Sequence, residues 1–275
     1  MQRSNVPDHY ARRDLIAAIR DGIAAMGKTI DTVSPDDLAA VDQFHIGGRR
    51  ATEDLFRQLD LSAADHLLDI GSGLGGPARF AADRYECRVI GFDLTPDYVK
   101  AGNAICRWLG LSGRVSLHQG DALSMPFPDR AFSAACMLHV GMNIADKVRL
   151  FSGIARVLQA DGRLAVYDVM RTQAGELAYP LPWATTSNAN AIATPGQYRN
   201  ALLATDFEIV SQRDRKDFAL AYFRDLKAKM AADGAAGPLG LHTLMGDRRE
   251  FQVRNMIENI TNGYIAPIEI IARRL

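Results

Sequence analysis

The sequence predicts an α/β protein built on a doubly wound sheet. Three observations carry this. From residue 65 onward, short β-type apolar runs alternate with helix-type periods. A glycine-rich turn joins the first run to the first helix that follows it. An aspartate closes the second run, 22 residues after the first glycine of that turn.

The elements follow in order. Leu15, Ile16, Ile19, Ile23 and Met26 recur at helical spacing, one apolar stripe near the start of the chain. Ser34-Pro35-Asp36-Asp37 opens a second helix: serine caps, proline suits the first turn, and the aspartates favour the positive helix end. Asp42-Gln43-Phe44-His45-Ile46-Gly47-Gly48 then breaks the pattern, and its paired glycines mark a close backbone approach. A third helix is expected over residues 49–59. Strands are expected at 66–70, 87–92, 115–118, 131–138 and 164–169, with helices starting near Pro77, Pro96 and Asp146. Such a rhythm means parallel strands joined by right-handed crossovers. Thr194-Pro195-Gly196-Gln197 reads as a capping box. Residues 207–212 form a sixth strand and 264–272 a last one. Between them Phe218, Tyr222, Leu226 and Met230, four apart, give one helix face.

Composition narrows the function. Thirty-two basic residues balance thirty-two acidic ones, which argues against a nucleic-acid partner held by a strongly basic field. No apolar run approaches the ~20 residues of a membrane span, and no signal peptide opens the sequence, so no membrane partner is expected. Cys87, Cys106 and Cys136 are an odd count without C-x-x-C spacing. That points to a reducing, cytoplasmic setting rather than disulfides or structural zinc. Six histidines (His9, His45, His66, His118, His139, His242) lack metal-ligand spacing, so no metal is expected.

The chemistry centres on Leu68-Asp69-Ile70-Gly71-Ser72-Gly73-Leu74-Gly75-Gly76-Pro77. Glycines there let a ligand sit against main-chain N–H groups at a helix start, although a strand-to-helix turn also uses glycine for packing alone. Gly71, Gly73 and Gly76 fit G-x-G-x-x-G, a weak match by itself. Asp93 can accept both hydroxyls of an adenosine ribose, a device common to NAD and S-adenosylmethionine. Two features separate those cofactors. Asp69 would oppose a pyrophosphate, yet it can hold an α-amino group or order the loop. Gly120-Asp121-Ala122 follows the third strand, where Asp121 can receive an adenine amine. Met125 and Phe127 fit either as flanks of the adenine ring or as core.

Taken as an ordered set, residues 68–76, Asp93, residues 120–127 and the fourth strand resemble the class I S-adenosylmethionine-dependent methyltransferases. The likeness is nearer to small-molecule methyltransferases of the sarcosine/dimethylglycine and ubiquinone/menaquinone-biosynthesis types. It extends through residues 42–48, Met142-Asn143-Ile144-Ala145-Asp146-Lys147, Pro180-Leu181-Pro182-Trp183-Ala184 and Gly240-Leu241-His242. It implies a Rossmann-like seven-stranded sheet whose last strand is antiparallel, S-adenosylmethionine as cofactor with S-adenosylhomocysteine as product, and a small-molecule acceptor. Carried over by position, Gly71, Ser72, Gly73 and Gly75 line the methionine part of the cofactor, near Asp69. Asp93 and Leu94 hold the ribose, and Gly120, Asp121 and Ala122 meet the adenine. Gln43, Gly48 and His139 complete the set. Ser72 departs from the cysteine or threonine frequent in this loop.

Methyl transfer from a sulfonium is an in-line displacement dominated by positioning and desolvation. An amine or alcohol acceptor must also lose a proton, which suits histidine. His139 at the end of strand four is the first candidate, with cofactor packing as its alternative role. His45 can reach the site from the Gly-Gly segment, and His242 from the late helical stretch; structural roles suit both as well. Asp168 ends strand five, able either to orient an acceptor or to cap the next segment. Trp183, Tyr179 and Tyr10 offer aromatic faces to onium cations, or ordinary packing. A nitrogen acceptor is favoured by the resemblance, with carbon and oxygen open. The rival functions are an NAD(P)-dependent oxidoreductase, opposed by Asp69 and Gly120-Asp121, and a non-catalytic S-adenosylmethionine-binding relative.

Length then assigns the parts. At roughly 150 residues per domain, 275 residues are about 1.8 domains. The sheet and its crossovers fill about one. The remainder falls in residues 1–50, 171–194 and 215–263. No block is long enough for its own core, so 1–50 is expected as a helical lid on a catalytic domain over 51–275, with lid insertions at 171–194 and 215–263.

Overall fold

The computed structural model describes residues 14–233, 237–245 and 249–275. Tyr10 and His9 lie outside them. Strands β1 (His66–Ile70), β2 (Arg88–Asp93), β3 (Val115–Gln119), β4 (Phe132–Leu138), β5 (Leu158–Arg171), β6 (Phe207–Asp214) and β7 (Ile265–Arg274) form one sheet in the order β3-β2-β1-β4-β5-β7-β6. β1 to β5 pair in parallel, and β7 runs antiparallel between β5 and β6, as expected. The order reverses between β1 and β4. In open α/β sheets that switch point, at the strands' carboxyl ends, is where ligands bind.

The helices are α1 (Leu15–Ala25), α2 (Pro35–Asp42), α3 (Gly48–Phe56), α4 (Gly76–Arg84), α5 (Pro96–Trp108), α6 (Lys147–Val157), α7 (Pro195–Leu203), α8 (Lys216–Asp233), α9 (Leu241–Met245) and α10 (Arg249–Thr261). Both expected capping boxes form: Ser34 with Asp37 on α2, and Thr194 with Gln197 on α7. Strand alternation sorts the core onto two faces. Leu68 and Ile70 of β1 and Leu164 and Val166 of β5 pack toward α6 and α7. Leu67, Ala165 and Tyr167 pack toward α3, α4 and α5. Helices α1 and α2 build a further cluster with Leu74, Tyr98 and Ile105.

Two strands outrun their sequence signals. β5 begins directly after α6, because Asp161 takes a left-handed φ of 61° and lets Leu158 pair with Phe132 before the main register. β6 extends to Asp214, although residues 208–214 alternate outward, because β7 supplies a ladder partner as far as Ile268.

Residues 171–194 leave the sheet beside the start of β7, where Arg171 pairs with Ile265. Side-chain amides of α10 hold this block: Gln252 donates to Leu181 O, Asn255 to Pro180 O and Asn259 to Ala178 O. Among the described residues, no helix is long and apolar enough to cross a membrane.

Candidate active site

β1 carries Asp69 into the middle of the sheet, in register with Gly91 on one side and Cys136 on the other. The chain then turns through Gly71, Gly73 and Gly75 at φ values of 68°, 53° and 81°, a backbone path that side-chain-bearing residues rarely take. Main-chain groups fix the turn. Gly71 N–H donates to Phe92 O at 2.7 Å. Gly73 N–H donates to one oxygen of Asp93 and Thr95 N–H to the other, both at 2.8 Å.

Three polar atoms gather at this switch point, buried and without a hydrogen-bond partner: Asp69 Oδ2, Ser72 Oγ and His139 Nε2. Burial pushes the Asp69 carboxyl up to about 7, against the opposing Cys136 hydrogen bond. Burial also raises Asp93, opposed by the Thr95 and Gly73 amides. Unpaired buried polar groups are costly, so a carboxyl, a hydroxyl and an imidazole nitrogen around one glycine turn make a fitting cradle for a polar ligand.

Strands β4 and β5 supply the other wall. His139 follows β4 in a left-handed conformation, φ 57°, and its N–H donates to Tyr167 O at 2.7 Å. Its ring lies 5.3 Å from Tyr167 and 6.0 Å from His45, centroid to centroid. His45 Nε2 donates to Gly48 O at 2.9 Å. A carbonyl only accepts, so this nitrogen carries the ring proton. Thr52 Oγ1 lies 3.1 Å from the same nitrogen and donates to Gln43 Oε1 at 2.6 Å. Burial drives His45 down to about 4 and His139 well below the usual imidazole range, helped there by His45. Both rings are neutral near pH 7.

The structure thus brings His139, His45, Gln43 and Gly48 together beside the glycine turn. It sets Asp168 differently. That carboxyl is fully buried and accepts from Tyr198 Oη at 2.7 Å. It also faces Gly141, where a side chain would collide with it. Burial raises Asp168 to about 7, opposed by the Tyr198 hydrogen bond and the nearby Lys147 charge. Lys147 itself donates to Ile144 O and Ala191 O.

At the β2 and β3 ends, Leu94 and Asp121 are exposed, while Gly120 and Ala122 are half-buried. Asp121 accepts from Leu123 N–H at 2.8 Å. Met125 is core, and Phe127 packs edge-on against Phe92 and Phe132. Trp183 Nε1 and Tyr179 Oη both bind Asn190, at 3.0 and 2.9 Å. His66 binds Ala131 O, His118 binds Ser116, and His242 lies on α9.

Sequence reasoning missed Thr52, Tyr167, Tyr198, Lys147 and Arg79. Arg79 left a signal: it is the one charge in Gly76–Ala82, a run of otherwise small or apolar residues that are all buried. Nothing local marks Tyr167 and Tyr198, whose partners Ile46 and Asp168 are 121 and 30 residues away.

Residues 68–166 match the methyltransferase domain family. The chain is 31% identical over 134 residues to the methyltransferase GfsG of Streptomyces halstedii, covering 49% of this chain and 48% of that protein. It is 23% identical over 174 residues to the glycine/sarcosine/dimethylglycine N-methyltransferase of Actinopolyspora halophila, covering 63% and 31%. The chain therefore spans about half the length of the first curated relative and about a third of the second. In fold it is similar to geranyl diphosphate C-methyltransferase from Streptomyces coelicolor A3(2), with a TM-score of 0.70 and 21% identity over 98% of this chain and 97% of that one. Residues 68–166 thus match a methyltransferase domain, and the seven-stranded sheet that carries them is similar to that of the methyltransferase structure named above.

Proposed function

We propose that this protein transfers a methyl group from S-adenosylmethionine to a small-molecule acceptor by in-line displacement, releasing S-adenosylhomocysteine. One observation carries the proposal: the three unpartnered buried polar atoms of Asp69, Ser72 and His139 surround a left-handed glycine turn at the sheet's switch point. The bound cofactor would supply an electrophilic methyl on sulfur.

The remaining work belongs to the chain. Asp69, the Ser72 hydroxyl and the turn of Gly71, Gly73 and Gly75 would line the methionine end, the turn's own N–H groups being spent on Phe92 O, Asp93 and Ser72 O. Asp93 and Leu94 would hold the ribose, and Gly120, Asp121 and Ala122 the adenine. Asp93 already orders the turn through Gly73 and Thr95. His139 and His45, both kept neutral by burial, can accept a proton from the acceptor. Asp168 accepts from Tyr198 through Oδ2 and keeps Oδ1 buried without a partner, so it can orient an acceptor as well as shape the wall. Residues up to 50, 171–194 and 215–263 act as one composite lid: Ile46, Leu181, Trp183, Phe223 and Met256 share one apolar cluster, which excludes water from the reaction.

A nitrogen acceptor is our favoured choice, on the resemblance to glycine-derived amine methyltransferases; carbon and oxygen are the alternatives. A reducing cytoplasmic setting agrees with Cys87, Cys106 and Cys136, all free and buried. Calorimetric titration of pure protein with S-adenosylmethionine tests the core of the proposal. Saturable binding is expected, and no heat at millimolar ligand would sink it.

A further inference from the structure

A buried ion pair lies behind the glycine turn, outside the chemistry described so far. Arg79 on α4 is 2% exposed and Asp42, the last residue of α2, is 5% exposed. Arg79 Nη2 donates to Asp42 Oδ2 at 2.7 Å. Its Nη1 donates to Leu74 O, inside the glycine turn, at 2.7 Å. One guanidinium therefore holds the turn with one nitrogen and the N-terminal strap, residues 42–48, with the other.

Two further contacts join the same two segments. Gly76 lies against the main-chain carbonyl of Asp42 so closely that any side chain there would collide with it. The Phe44 ring covers Gly73, 3.1 Å from where a β-carbon would stand. The strap is thus seated on the turn at its front, its back and through a charge. One residue beyond Phe44 stands His45, facing His139.

We infer that the Asp42–Arg79 pair makes the strap and the glycine turn move as one, so that cofactor in the turn is transmitted as seating of the strap and of His45. This rests on the methyltransferase proposal above. Asp42 and Arg79 are positioning residues: neither touches the reacting atoms, and both act through the strap. A buried pair locks geometry in this way because each charge is strongly penalised without the other. Cofactor in the turn then holds in place the wall that His45 completes for the acceptor.

Hydrogen–deuterium exchange of the full chain, with and without S-adenosylhomocysteine, tests this. In the unaltered protein, exchange should slow in peptides covering 71–76 and also in those covering 42–52, by about tenfold or more. The double variant Asp42→Asn with Arg79→Met removes both charges together, which buried pairs tolerate far better than loss of one. It should keep the slowing at 71–76, while that at 42–52 falls below about twofold. Gly76→Ala is the second variant. It leaves both charges in place and pushes the strap off the turn, and it should uncouple the two segments in the same way.

A merely structural pair would alter melting temperature without changing how 42–52 responds to the ligand. The inference is overturned if either folded variant still slows at 42–52 as the unaltered protein does. It is also overturned if the unaltered protein slows at 71–76 alone. Absence of calorimetric binding to the unaltered protein would instead bring down the methyltransferase proposal, and this inference with it.

Discussion

The two walls of the site are built by different means. Along β1, β2 and β3 the functional groups are main-chain amides and carboxylates within a few residues of a strand end, set by parallel register. Along β4 and β5 they are side chains that meet across long stretches of sequence. Tyr167 Oη reaches Ile46 O from 121 residues away, and Tyr198 reaches Asp168 from 30 residues away. The first wall can be held constant while the second is redrawn. A shared donor with varied acceptors needs that division. Among the relatives described above, one is an N-methyltransferase and another a C-methyltransferase by name.

The most direct way to test the division is to cut the buried ion pair that ties the glycine turn to the strap carrying His45. Arg79→Ala leaves the Asp42 carboxyl buried without its cation. Burial already pushes that carboxyl up, and the Arg79 guanidinium is the first group opposing it, ahead of the Arg49 charge. Loss of about 3–5 kcal/mol is expected, measured by urea unfolding. A loss under about 1 kcal/mol would mean that water already solvates the pair, as at an exposed salt bridge.

The same division explains what could be read from the sequence. The glycine turn, Asp69, Asp93 and Gly120-Asp121 lie in the last residues of a strand or directly after it, so strand periodicity located them. The capping boxes at Ser34 and Thr194 are local too, and both formed. The Asp42–Gly48 segment was visible as a break in pattern, yet its internal bonds were not. Gln43 and Gly48, read as cofactor ligands, hold Thr52 and His45 respectively. Strand lengths were underread at β5 and β6, where a partner strand supports residues without β-type alternation. Tyr198, Lys147 and Asn190 carry no local signal, since each acquires its role only from packing.

Within the first wall, pH sharpens the comparison. Asp69 is raised to about 7 by burial from an ordinary 3.8. Its protonated form therefore contributes stability that is fully present below about 3.8 and is lost as pH rises through about 7. Asp69→Asn keeps a neutral group there at every pH. Between pH 5 and 7 the variant should gain on the unaltered protein by about 1.4 kcal/mol per pH unit. Parallel stability–pH curves would place the Asp69 carboxyl in contact with water. Ligand sharpens it again: a cationic amino group beside Asp69 should expel its proton. Near pH 6, S-adenosylhomocysteine binding should then release protons in calorimetry across buffers of different ionisation heat, and in Asp69→Asn it should not.

Asp93→Ala addresses the same wall at smaller cost. It removes the acceptor for the Gly73 and Thr95 amides as well as the proposed ribose contact. S-adenosylhomocysteine affinity should fall at least about tenfold, or about 1.4 kcal/mol. Unchanged affinity would misplace the ribose.

The smallest effect belongs to the second wall. Trp183 is 5% exposed, and its indole N–H donates to Asn190 Oδ1, which also accepts from Ile192 N–H. Trp183→Phe keeps an aromatic ring among Leu181, Phe223 and Met256 and removes only that donor and some volume. Stability should fall by about 1 kcal/mol. S-adenosylhomocysteine affinity should stay within about twofold, because no group of the glycine turn touches this residue's network. The acceptor's KM should move instead, once an acceptor is in hand. A cofactor affinity that fell with Trp183 as steeply as with Asp93 would erase the distinction between the walls. The lid would then hold the donor as well as choose the acceptor.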